Sequence, residues 1–252
     1  MSEIKYKKAP VSEVILGITF KNPVLGRDAS GKLLQKLLAE FPVVEAMQPL
    51  ADDSFTHNVV PFPTINTVVT GNSLIRLWSH DKTWLVQFQF NKIFFNWVRQ
   101  DHKDVGHYPG YTPIYKKFLD IVNFVFTENK LSDDDVLYKE LVYHDRANIN
   151  SEEFQNFEKL VNYTYPRFRS IKAVTSDFVM SSRSRIDELG GFLVFNVSAI
   201  PNGANNYILI VQSTTKGALP GTGFDKWFDL AHNVQVNVFE DFISKETLNS
   251  WK

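Results

Sequence analysis

Apolar and polar residues alternate with period two from Trp84 to Gln89, and again from Ile93 to Val98. Period two predicts two strands. Asn91-Lys92 between them predicts a two-residue hairpin turn, because asparagine tolerates positive φ. In that register Phe90 faces Ile93, Phe88 faces Phe95 and Val86 faces Trp97, so one side of the hairpin is wholly apolar. The other side pairs Gln89 with Phe94, Gln87 with Asn96 and Leu85 with Val98. A slip of one residue would mix the two sets, so the pattern fixes which side each residue takes.

A second hairpin is predicted over residues 191–217, punctuated by Pro201, Asn202 and Gly203. Its strands run almost continuously apolar, which predicts deeper burial than in the first. Further strands are expected near "SEVILGITF", "INTVVTGNSLIRLWSH", "VLYKELVYHDRANI" and "IKAVTSDFVMSS".

Helical spacing marks four other segments. Leu33, Leu34, Leu37, Leu38 and Phe41 share a face that Pro42 ends. Thr112 reads as an N-cap with Pro113 at the first helical position, ahead of a stripe of Ile114, Phe118, Ile121, Val122 and Val125. Asn150 and Glu153 form a capping-box start. The last long helix carries Phe224, Trp227, Phe228, Ala231, Val234, Val238 and Phe242.

The order is strand, helix, three strands, helix, and then the same again. This predicts an α+β protein of two similar halves, residues 1–130 and 135–252, with a seam at Ser132–Asp135. Short echoes such as "EVIL" at Glu13 and "ELVY" at Glu140 suggest internal duplication. Antiparallel sheets with helices on one side would then pack as one compact unit. The saddle of the TATA-binding proteins has a comparable repeat order, an analogy of topology that carries no function.

Composition narrows the class. Of 252 residues, 44% are hydrophobic, enough for a sizeable core. The net charge of −1 supplies no global field to gather nucleic acid or an anionic membrane, so such binding needs a local patch. There is no cysteine, which removes disulfides, thiolate metal sites and cysteine nucleophiles. The first twenty residues hold only a short apolar run broken by Gly17 and Thr19, and no apolar span of about 18 residues follows. The expectation is a soluble, cytoplasmic protein.

"APVSEVI" at Ala9–Ile15, "WLVQFQ" at Trp84–Gln89, "FNW" at Phe95–Trp97, "YPGYTPIYKKF" at Tyr108–Phe118 and the ending from Phe228 to Trp251 form a recognisable set. Together they resemble a sporadically distributed bacterial family of conserved proteins of unknown function. The resemblance implies no catalytic residue. The family's patchy distribution implies an accessory role, such as defence or toxin control.

The candidate chemistry is sparse. Gln87, Gln89 and Asn96, with Trp97 and Phe94 nearby, form either a contact surface for a peptide, base edge or polar ligand, or simply the wet side of a sheet. Arg167, Arg169, Lys172, Arg183 and Arg185 cluster around one strand, interleaved with Tyr165 and Phe168. They could meet a phosphate backbone, but Asp177, Asp187 and Glu188 dilute the patch and favour a solvated face. His102, Asp104 and His107 match no familiar zinc spacing. His80-Asp81 and His144-Asp145 are strand neighbours that point to opposite faces and make no dyad. Ser213 and Lys216 match a serine–lysine pattern, but at the end of a strand rather than the start of a helix. The glycines before Phe224 suit an anion, yet no P-loop or dinucleotide fingerprint accompanies them. No motif implies a cofactor or metal. The balance favours a non-catalytic module with a protein partner. An enzyme assembled from distant segments, or a nucleic-acid binder using a curved sheet, is the alternative.

Overall fold

Val14, Leu16, Ile18 and Phe20 occupy alternate positions of β1 (Val11–Phe20), and all four are fully buried. Such a strand belongs at the centre of a sheet, under helices. A computed structural model, which describes residues 10–50, 73–100, 108–162 and 178–251, places it there. The chain continues through α1 (Arg27–Leu37), β2 (Val43–Met47), β3 (Leu74–Trp78), β4 (Trp84–Gln89), β5 (Lys92–Val98) and α2 (Tyr111–Asn129). β6 (Val136–Asn150), α3 (Ser151–Gln155), α4 (Phe157–Leu160), β7 (Phe178–Ile186), β8 (Gly191–Pro201), β9 (Asn206–Gly217), α5 (Phe224–Phe242) and α6 (Lys245–Ser250) complete it.

The fold is α+β, with one antiparallel nine-stranded sheet in the order β2-β3-β4-β5-β1-β6-β9-β8-β7. One core packs α1, α2 and α5 on the inner strands through Leu33, Leu37, Phe118, Trp227 and Phe228. A second packs Phe154, Phe242 and Leu248 on Phe195, Val197, Leu209 and Val211. Both cores lie on the same side of the sheet. Among the described residues, no helix packs its buried side chains on the opposite side. No described helix is long and apolar enough to cross a membrane.

The α2 stripe is buried as its spacing predicts, with Tyr111 added at its start. The helix begins two residues earlier than Thr112 suggests, and Gly110 stands at the N-cap. Tyr111 stacks on Tyr115 and, at 4.0 Å, on His232, and that packing holds the two added residues. Asn150 and Glu153 form the predicted capping box. In α1, Leu33 and Leu37 are buried but Leu38 stays 40% exposed; the helix stops at Leu37, and Phe41 enters the core from the following turn.

The first hairpin keeps its predicted faces but shifts its turn. Gln89 pairs with Lys92, Gln87 with Phe94 and Val86 with Phe95, so Phe90-Asn91 form the turn. Every partner moves by two residues, which preserves the segregation of faces. Neither turn residue has positive φ. The turn is fixed instead by tertiary bonds: Val24 and Leu25 donate to the Phe90 carbonyl, and Phe20 to that of Asn91. Phe90 therefore leaves the apolar side and is 42% exposed.

The second hairpin forms, but it is not more deeply buried than the first. Leu193, Phe195, Val197 and Ala199 enter the core, while Phe192, Val194 and Ile200 lie on the helix-free side, Ile200 at 39% exposure. Its apolar run covers two faces, only one of which has a helix layer. β2 is a strand that the sequence pattern does not suggest.

Candidate functional site

Register alone lines up one residue per strand on the helix-free side. One such row runs Glu45, Arg76, Gln87, Phe94, Gly17, Glu140, Lys216, Phe192, Arg185 across all nine strands. The row is mixed because of the alternation: on the inner strands the helix-side neighbours are apolar or bonded inside the core, so polar residues collect here. Gln87 and Arg185, both singled out from sequence, share it. They stand six strands apart, roughly 29 Å at about 4.8 Å per strand.

Around Gln87 the row is tied to its neighbours by a relay. Gln87 Nε2 donates to Asn96 Oδ1 at 3.1 Å, and Asn96 Nδ2 donates to Glu13 Oε1 at 2.7 Å. Glu13 Oε2 lies 3.0 Å from His144 Nδ1. An ionised carboxylate only accepts, so Glu13 forces the Asn96 amino group toward itself. That turns Asn96 Oδ1 toward Gln87, and the orientation of Gln87 follows. Burial pushes the Glu13 carboxyl up, but hydrogen bonds from His144 and Asn96, with the charges of His144 and Arg76, hold it below its ordinary value. Glu13 is therefore ionised at neutral pH.

Gln89 is occupied differently. Its Oε1 accepts from the Leu50 backbone N–H at 2.7 Å, and its Nε2 donates to the Leu50 carbonyl at 3.1 Å. One carboxamide thus holds both polar groups of one residue's main chain. Residues 48–50 follow edge strand β2 and cross β3 to reach it.

The sequence candidates therefore separate. Gln87 is half-buried, while Gln89 and Asn96 retain 7% and 2% exposure. Trp97 does not belong with them: it points to the helix side, is 2% exposed and meets the Tyr108 ring edge-on at 5.4 Å. Arg183 and Arg185 lie on edge strand β7, Arg183 over the Phe192 ring at 4.0 Å and Arg185 paired with Asp187 at 2.6 Å. Arg167, Arg169, Lys172, His102, Asp104 and His107 fall outside the described residues. Ser213 faces the core and Lys216 the other side, so they form no pair. His144 and Asp145 also take opposite sides: His144 joins the relay, and Asp145 is buried toward the helices. Asp81 serves its own turn, accepting from Ser79 Oγ and the Thr83 N–H.

Sequence reasoning missed Glu13, His144, Glu45 and Arg76 as members of the face. Each is a charged or titratable residue inside an alternating strand, which is the signal that could have found them. Trp78 Nε1 and Arg76 both contact Glu45, at 3.0 and 3.5 Å, so even the edge of the face is hydrogen-bonded.

Gly17 sets the shape at the centre. The Phe94 ring folds over it, and a Cβ there would sit inside the ring's van der Waals envelope. Gly17→Ala is expected to cost about 1–2 kcal/mol by expelling the ring. The same change in a Phe94→Ala background should cost only a few tenths, which a double-mutant cycle of urea midpoints measures.

Among the described residues, no cluster of acidic and histidine side chains is placed to hold a metal ion. A scan against known protein families finds no match to this chain, and neither does a search of curated proteins.

Proposed function

We propose that the chain is a non-catalytic protein- or peptide-binding accessory protein whose contact surface is the helix-free side of its sheet. The observation that carries this reading is the relay from Gln87 to His144, a hydrogen-bonded polar patch on the face that also carries Phe94, Phe192 and Arg185. Aromatic rings beside oriented amides and charges make a surface suited to recognition. The resemblance to a sporadic bacterial family fits an accessory role in defence or toxin control, in the cytoplasm. Both ends of the chain follow one route, a central strand, an outer edge and a meander back inward, and this supports the reading of two duplicated halves.

A second reading draws on charge. Among the described strand residues, Arg76, Lys92, Arg146, Lys216, Arg183 and Arg185 share this side with Glu13, Glu45 and Glu140, although the whole chain carries −1. A cationic excess on one side favours a polyanion such as nucleic acid. Arg76 is already paired with Glu45, Lys216 with Glu140 and Arg185 with Asp187.

Photo-crosslinking separates the two. A benzophenone amino acid is placed at Ser198 or Thr214 on the helix-free side, and at Lys116 on exposed α2 as control. Irradiation in native cells should give a discrete protein adduct from the first two positions only. A nuclease-sensitive adduct would favour the second reading. Adducts from Lys116 alone, or from no position, would reject a recognition role for this side.

A further inference from the structure

We propose that the helix-free side binds the main chain of an extended polypeptide segment of a partner protein, with the carboxamide of Gln87 as an open clamp beside the one that Gln89 closes on Leu50. The inference rests on the binding reading above and narrows the partner to a chemical class.

The structure already shows one such clamp closed. Gln89 holds the N–H and C=O of Leu50 together, recognising backbone rather than side chain; Leu50 itself is 42% exposed. Gln87 lies two residues away on the same strand and the same side. Two residues of strand span about 6.7 Å, which is also the repeat between like-facing peptide units of an extended chain. A partner segment lying along β4 would therefore meet Gln87 one such repeat away from the place where Gln89 holds Leu50.

Gln87 is prepared for this role. Its Nε2 makes one bond, to Asn96, and among the described residues its Oε1 takes none and is not a buried orphan. The relay through Asn96 and Glu13 fixes which way the carboxamide points, leaving Oε1 and one N–H for a partner. Holding the group in place lowers the ordering cost of binding. Carboxamides also match the adenine edge. The Leu50 contact favours peptide, because it is the main chain of a residue that this surface holds.

The test uses the full chain labelled with nitrogen-15 and follows the side-chain amide resonances of Gln87 and Gln89. The probe is a capped valine–threonine pentapeptide, compared with the same peptide methylated on its peptide nitrogens and with adenosine. The expected result is a saturable shift of the Gln87 resonances with the unmethylated peptide only, with affinity about tenfold weaker in Gln87→Met. The proposal is overturned by equal binding of the methylated peptide, by a response to adenosine in place of peptide, or by no response of Gln87. A protein adduct from Ser198 with a silent Gln87 would leave the binding reading standing and remove this refinement.

Discussion

Gln235→Leu is expected to destabilise the protein by about 2–4 kcal/mol, a large loss for a change that barely alters volume. Gln235 sits on α5 with 2% exposure. Its Nε2 donates to the Leu141 carbonyl on β6 at 2.6 Å and to Thr215 Oγ1 on β9 at 2.7 Å. Its Oε1 accepts from Ser213 Oγ at 2.9 Å. One side chain thus joins the long helix to two adjacent central strands. Thr215 and Ser213 are 0% and 3% exposed, so no water replaces what leucine removes. The cost comes from stranding these hydroxyls rather than from the lost bonds. A triple variant, Gln235→Leu with Ser213→Ala and Thr215→Val, should recover much of the loss, because it deletes the stranded groups. Urea midpoints of the two variants measure the difference. A triple variant no more stable than the single one would show that helix packing, not unpaired polar groups, sets the cost.

Gln235 also marks where sequence reasoning stops. In α5 it falls among residues that alternate between apolar and polar, and a glutamine there reads as solvated surface. Only the strands beneath it, more than 20 residues away at Ser213 and 94 away at Leu141, make it a core residue. Local periodicity carries no such information. Where burial is decided locally, the pattern suffices: the α2 stripe and the two faces of the first hairpin follow from spacing alone. The hairpin's turn does not, because it answers to backbone bonds from residues 20–25. The candidate site divides in the same way. That Gln87, Gln89 and Asn96 share a side is a matter of parity. Trp97 sits on the opposite side by that same parity, whatever its aromatic character suggests. That a carboxylate 83 residues from Asn96 and a histidine 131 residues from that carboxylate orient the amides is a consequence of β1 lying between β5 and β6. β2 escapes detection because five residues at an exposed edge, ending before Gln48-Pro49, show too little alternation.

Asp145→Asn should reshape the dependence of stability on pH. Burial lifts the Asp145 carboxyl to about 7 from an ordinary 3.8, against the opposing charges of His144 and Arg99. The raised value means that the fold prefers the protonated acid. Its contribution to stability is complete below pH 3.8 and is lost as pH rises through about 7. Asparagine keeps the shape without the charge, so the variant should exceed the wild type by roughly 2–3 kcal/mol at pH 8 and match it near pH 4. His232 works the other way. Burial lowers its imidazole to about 4 from 6.5, and its Nδ1 lies 3.0 Å from the Tyr143 hydroxyl. It contributes fully above pH 6.5 and loses that contribution as pH falls through about 4. Between these limits the two groups oppose each other, and the wild type should show a nearly flat profile. Asp145→Asn exposes the histidine slope, falling toward acid. His232→Asn, which retains an acceptor near the Tyr143 hydroxyl, exposes the carboxyl slope, falling toward base. Thermal midpoints from pH 4 to 8 distinguish the three proteins. Parallel profiles would mean that water or a rearranged cation reaches Asp145 and cancels its burial.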